Sequence, residues 1–100
     1  MTTALAPAEV RTALEAVKNW KYKSNEISKS YKLSSFKKSI EFVTRIAEHS
    51  EEVDHHPDIT IRYTTVVLSI TTHSESGVTE KDLDWASAAD TIYKEVSEKR

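Results

Sequence analysis

Cysteine is absent, which excludes disulfide staples, thiolate metal sites and thiol nucleophiles. Glycine occurs once, at Gly77, and proline twice, at Pro7 and Pro57, so there is neither a glycine-rich phosphate cradle nor a flexible linker. No segment approaches the roughly 20 apolar residues that span a bilayer. Residues 1–7 lack the basic start and apolar run of a secretory signal, so the cytoplasm is the expected location. Excess charge is missing too: 14 basic against 16 acidic side chains give a net charge of -2, which argues against a nucleic-acid surface built on bulk positive charge. No internal repeat or low-complexity tract interrupts the chain.

What remains is a chain of 100 residues with 38% hydrophobic content, enough for one domain over residues 1–100 with a modest core. Pro7 suits a first helical turn, and Val10, Ala13, Leu14 and Val17 follow at the spacing of one buried face. From Trp20 the period changes to alternation. Trp20 and Tyr22 share a parity, Ser24-Asn25-Glu26 reads as a turn, and Ile27, Tyr31 and Leu33 share the next, which predicts two antiparallel strands with the aromatic rings in the core.

Ser34 or Ser35 can cap a second helix whose apolar and small stripe runs through Phe36, Ile40, Val43, Ile46, Ala47, Ser50 and Val53. It must stop before Pro57, because proline disfavours helical geometry at His56. Two more alternating runs follow, Ile59 to Tyr63 and Val66 to Thr72. A hairpin tip at Thr64-Thr65 would set His73 opposite His56. Thr79 and Asp82 make a capping box for a last helix that buries Leu83, Ala86, Ala89, Tyr93 and Val96. The order is α-β-β-α-β-β-α, and the expected class is α+β: a four-stranded antiparallel sheet with three helices on one face. The uncovered second face and the sheet edges leave room for a homodimer or homotetramer.

The candidate site is the histidine cluster. His55 and His56 stand on a corner between a helix and a strand, with Glu51, Asp54 and Asp58 close in sequence, and His73 follows one strand pair later. Imidazoles exchange protons near neutral pH, which suits acid and base work. Adjacent histidines diverge, whereas metal ligands must converge, so a three-histidine zinc site is the weaker reading. His49 lies in the last turns of a helix, where the dipole favours a histidine without any further role.

Glu51-x-x-x-His55-His56-Pro57, Tyr63, His73 and Asp82 together resemble the signature of the pterin-4a-carbinolamine dehydratases. The likeness extends to Asp-His-His-Pro-Asp, Ile-Arg-Tyr, Thr-His-x-x-x-Gly-Val-Thr-Glu-Lys-Asp and the Phe-Val-x-x-Ile-Ala helix, and so covers most of the chain from Trp20 onward. The chain departs from the family pattern at Ile59, where many members carry an aromatic residue, and at Thr71, where the family has serine.

The resemblance implies dehydration of 4a-hydroxytetrahydropterin to quinonoid dihydropterin in tetrahydrobiopterin recycling, with no metal or organic cofactor. His55 and His73 would be acid and base, and His56 would polarise the substrate hydroxyl. Glu51 would orient the histidines. Pro57, Thr72, Ser74 and Glu75 would line the pterin cleft, supported by Asp82 and Tyr63. The implied partners are the pterin and, functionally, an aromatic amino acid hydroxylase, with no direct nucleic acid and no membrane. The alternative the family carries is a non-catalytic binding module, a coactivator or an assembly factor.

Overall fold

The computed structural model describes residues 4–98; Met1–Thr3, and the Lys99-Arg100 end of the last predicted helix, lie outside the described residues. Pro7 opens helix α1 (Pro7–Ala13), where its missing N–H breaks no hydrogen bond, and Glu9 reaches back to accept from the Ala6 N–H at 2.8 Å. The helix is shorter than the spacing to Val17 predicts: it tightens into a 3-10 turn at Leu14–Ala16, and Val17 is already extended. Val10 carries the burial of this element, at 0% exposure.

Strands β1 (Lys21–Lys23) and β2 (Glu26–Lys32) form the first hairpin. Ser24 and Asn25 both take left-handed φ, 53° and 62°, which matches the twist of the strands across a two-residue turn; Glu26 belongs to the strand. Ser35 caps α2 (Phe36–Val53) by accepting the Lys38 N–H at 3.1 Å. The helix closes where Asp54 turns left-handed (φ 53°) and the His55 N–H returns to the Ser50 carbonyl at 3.0 Å.

The predicted stripe on α2 is only half buried. The line that faces the core is Ser39, Phe42, Ile46 and Ser50, while Phe36, Ile40, Ala47 and Val53 are exposed. Two serines win core positions because their hydroxyls are satisfied locally: Ser39 donates to the Ser35 carbonyl and Ser50 to that of Ile46, at 3.2 and 2.7 Å.

Strand β3 (Asp58–Arg62) pairs with β4 (Thr65–Ile70), Arg62 opposite Thr65. The tip is therefore Tyr63-Thr64, one residue earlier than Thr64-Thr65. Tyr63 adopts φ 54°, unusual for so bulky a residue, and the next residue is tied down by Leu33 N–H to Thr64 O at 2.8 Å and by Lys32 Nζ to Thr64 Oγ1 at 2.5 Å. This register sets Thr71, not His73, in line with His56. The shift is two positions, so every side chain keeps its face.

The sheet runs β1-β2-β4-β3, antiparallel throughout. One face carries Tyr22, Ile27, Tyr31, Val66, Leu68 and Ile70 into a single core with Val10, Phe42, Ile46 and the inward side of α3 (Glu80–Glu98). The other face presents Lys21, Ser28, Ser30, Val67 and Ser69. On α3 the buried line is Asp82, Trp85, Ala86, Ala89, Ile92 and Val96; Leu83 and Tyr93 pack at its margin. The expected α+β architecture is the one observed. Among the described residues no buried side-chain nitrogen or oxygen lacks a hydrogen-bond partner, and no helix is long and apolar enough to cross a membrane.

Candidate active site

The left-handed Asp54 and the following Pro57 hold residues 54–57 as a corner between α2 and β3. From that corner His55 points inward and His56 outward. His55 Nε2 lies 2.6 Å from Asp82 Oδ1; the carboxylate is fully buried and the imidazole 13% exposed. Asp82 Oδ2 accepts the Thr72 hydroxyl at 2.9 Å and the Thr79 N–H at 2.8 Å, and the Thr72 and Thr79 hydroxyls meet at 2.8 Å. Asp82 is thus the helix cap that the sequence predicts and the partner of His55 at once. The cap uses one oxygen, which leaves the other for the ring.

His56 Nε2 lies 2.5 Å from Glu51 Oε2, in a solvent-exposed pair. The two adjacent histidines therefore diverge onto separate carboxylates, as neighbouring side chains on a turn must. Among the described residues no three histidine, aspartate or glutamate side chains gather in a group that could hold a metal ion.

His73 opens a single 3-10 turn, His73–Glu75, separated by two residues from the end of β4; a bridge from Thr72 to Gly77 closes the loop, with the Thr72 N–H donating to the Gly77 carbonyl at 3.0 Å. The expected facing of His73 and His56 across the ladder is not what joins the two halves. They meet through Asp82: the carboxylate that holds His55 also holds Thr72, the residue before His73. Thr72 itself, expected on the cleft wall, is buried and turned onto Asp82. Ser74 and His73 are exposed, Glu75 and Pro57 half-buried. Tyr63 stands apart: it occupies the far hairpin tip, five strand positions from Asp58, or roughly 16 Å, and stacks on Phe36.

A cavity of about 230 Å³ opens beside His55 between the end of α2 and the start of α3, lined by His49, Val53, His55, Lys81, Asp84 and Trp85. Sequence reasoning missed it. The signal was partial: His49 and Val53 are four apart, as are Lys81 and Trp85, so each pair shares a helix face, but nothing in the sequence says that the two faces oppose one another. Trp85 is fixed there by donating its Nε1–H to Ser50 Oγ at 3.1 Å.

Residues 3–92 match the family model described as pterin 4 alpha carbinolamine dehydratase. A protein of Herpetosiphon aurantiacus, provisionally named as such a dehydratase, is 48% identical over 89% of this chain and 93% of its own length. One of Sulfolobus acidocaldarius, with the same provisional name, is 44% identical over 78% of this chain and 86% of its own. Among solved structures, a transcriptional coactivator/pterin dehydratase from Brucella melitensis superposes with a TM-score of 0.87 at 32% identity, covering 91% of this chain and 99% of that one. A pterin dehydratase-like protein described as a RuBisCO assembly factor shares the fold at a TM-score of 0.63 and 21% identity, over 74% of this chain and 86% of its own. With nine-tenths of its length covered and the His55, His56 and His73 segments inside the match, the chain belongs to the pterin-4a-carbinolamine dehydratase family.

Proposed function

We propose that the protein dehydrates 4a-hydroxytetrahydropterin to quinonoid dihydropterin and water, a hydro-lyase step that recycles tetrahydrobiopterin after an aromatic amino acid hydroxylase has used it. The observation that carries this reading is the His55–Asp82 pair, joined through Thr72 to the segment bearing His73.

The reaction needs one proton removed from N5 and one delivered to the oxygen on C4a. A neutral His55 that donates Nε2–H to Asp82 keeps Nδ1 as an acceptor, which is the form of a base. His55 Nδ1 takes the N5 proton, the N5=C4a double bond forms, the C4a–O bond breaks, and His73 protonates the departing hydroxide to give water. His56, oriented by Glu51, polarises the hydroxyl. Pro57, Ser74 and Glu75 line the cleft around the ring, Thr72 acts through Asp82, and Tyr63 supports the hairpin that sets the register. No metal or organic cofactor is needed, because the ring nitrogen itself drives out the leaving group. The protein works in the cytoplasm as a single domain, in a homodimer or homotetramer.

The test is an assay of freshly generated 4a-hydroxytetrahydropterin with and without the protein. Catalysed dehydration whose rate inflects between about pH 5 and 8, the range in which imidazoles titrate, supports the reading. A rate equal to the uncatalysed one removes it.

A second reading keeps the fold and drops the chemistry. Phe36, Ile40, Val53, Ile61 and Tyr63 are large and exposed, which favours a protein-binding role of the kind the coactivator and assembly-factor relatives are named for. That reading predicts a stoichiometric protein complex that forms unchanged when His55 is replaced.

A further inference from the structure

We propose that Thr79 is a positioning residue for the acid-base site: its hydroxyl sets the direction of a buried hydrogen-bond chain that decides which ring nitrogen of His55 carries the proton. This rests on the dehydratase reading above and gives a second task to a residue otherwise accounted for as a helix cap.

Thr79 and Asp82 are fully buried and Thr72 nearly so. Four bonds tie them together. The Lys81 N–H donates to Thr79 Oγ1 at 3.2 Å, the Thr72 and Thr79 hydroxyl oxygens lie 2.8 Å apart, and Asp82 Oδ2 accepts the Thr72 hydroxyl at 2.9 Å and the Thr79 N–H at 2.8 Å. Each threonine has one hydroxyl proton to give, so the chain can run in two directions. If Thr79 donates to Thr72, and Thr72 to Asp82, every proton in the cluster has an acceptor. If instead a protonated Asp82 donates to Thr72, and Thr72 to Thr79, the Thr79 proton is stranded: among the described residues its hydroxyl meets only Thr72 and the Lys81 N–H, which is itself a donor. A stranded hydroxyl proton in a fully buried place is costly, and the first direction wins.

The direction carries through to the ring. Oδ2 takes two donors and holds no proton of its own. Oδ1 faces His55 Nε2 at 2.6 Å, and the proton between them sits on the imidazole, the stronger base of the two. Nδ1 is then left as an acceptor, the form a base needs. The Thr79 hydroxyl starts this order: by filling a lone pair on Thr72 Oγ1 it turns the Thr72 proton toward Asp82 and keeps the carboxylate from rotating. Thr79 touches neither His55 nor the cavity beside it, and it acts only through Thr72 and Asp82.

The test compares Thr79→Val, which keeps the shape and removes the hydroxyl, with Thr79→Ser, which keeps the hydroxyl, each alone and in a Thr72→Val background. Thr79→Val should lower kcat about tenfold with KM within about twofold, and Thr79→Ser should keep about half of the rate or more. Once Thr72 is valine, adding Thr79→Val should change kcat by less than about twofold, because the route through Thr72 is already cut. NMR of 15N-histidine-labelled protein at about pH 8, where imidazoles are neutral, should show His55 protonated on Nε2 in the intact protein and a mixture of both tautomers in Thr79→Val. The same fold loss of kcat in both backgrounds marks a cap and nothing more, and overturns the proposal. So does a His55 protonated on Nδ1 in the intact protein, a reading that needs no variant to fold. An intact protein that does not dehydrate the pterin overturns the functional reading, and the tautomers alone then decide whether Thr79 sets the ring.

Discussion

Two of the three aspartates on helix α3, Asp82 and Asp90, look alike in sequence and do different work. Asp82 and Asp90 stand eight residues apart, and each gathers three donors: His55, the Thr72 hydroxyl and the Thr79 N–H at one, and Trp20 Nε1–H, Lys29 Nζ and the Tyr31 hydroxyl at the other. The Asp90 bonds are 3.2 Å to Trp20 and 2.8 Å to Lys29. What separates them is the acid-base character of the partners. At Asp82 one partner is an imidazole, a group that exchanges protons near neutrality. At Asp90 none is: the indole does not titrate, and burial, followed by the hydrogen bond to Asp90, pushes the Tyr31 phenol well above its ordinary range. The first cluster can pass a proton, and the second can only hold the β1–β2 hairpin against α3.

The largest effect expected lies at the histidines. His55→Ala or His73→Ala should lower dehydration turnover by about 10²-fold or more with the circular dichroism spectrum unchanged, the range of a positioned acid or base. Asp82→Asn should come next, lowering kcat by roughly 10- to 100-fold through loss of the carboxylate that orients the ring. Asp90→Ala should reverse the pattern: turnover stays within about twofold, and denaturant unfolding shows a loss of roughly 2 kcal/mol, because buried donors on Trp20 and Tyr31 lose their acceptor.

Tyr31 sharpens the contrast through pH. Its folded pKa is raised, so the stability it contributes is complete below its unfolded pKa near 10 and is lost as pH rises above that value. Tyr31→Phe should remove that alkaline component, seen as a flatter unfolding free energy above about pH 10. The smallest effect belongs to Arg45 and Glu95, paired at 2.6 Å on the exposed flanks of α2 and α3. Arg45→Ala should cost less than about 1 kcal/mol and nothing in rate.

Much of the fold was legible because each element carried its own local signal. Pro7, the Ser35 cap, Pro57 and the Thr79–Asp82 box mark helix ends, and the alternation from Ile27 to Leu33 and from Val66 to Ile70 marks strands. What failed depended on distant partners. The hairpin tip lies at Tyr63-Thr64 because Lys32 and Leu33, at the end of β2, hold Thr64 and let Tyr63 take a left-handed conformation. The predicted α2 stripe is displaced from the buried line, taking in Phe36 and Ile40 and leaving out Ser39 and Phe42, because Phe36 and Ile40 look as apolar as Phe42 and only the position of α3 decides which line is covered. Asp90 went unnoticed because its donors come from residues about 60 to 70 positions earlier.

The site divides along the same line. His55, His56 and Glu51 are close in sequence and could be grouped from it, and Asp82 was visible as a cap. Its second task, the inward turn of Thr72 and the cavity walls at His49, Lys81, Asp84 and Trp85 follow from how the start of α3 meets the end of α2.

The central claim is that His55 and Asp82 work as a pair in dehydrating the pterin. The direct measurement is kcat on freshly generated 4a-hydroxytetrahydropterin for the intact protein, Asp82→Asn and Asp90→Asn, each checked for native fold. The account predicts catalysis by the intact protein, a drop of at least about tenfold in Asp82→Asn, and a rate within about twofold of the intact protein in Asp90→Asn. Equal rates in the two variants, or no acceleration by the intact protein, would contradict it.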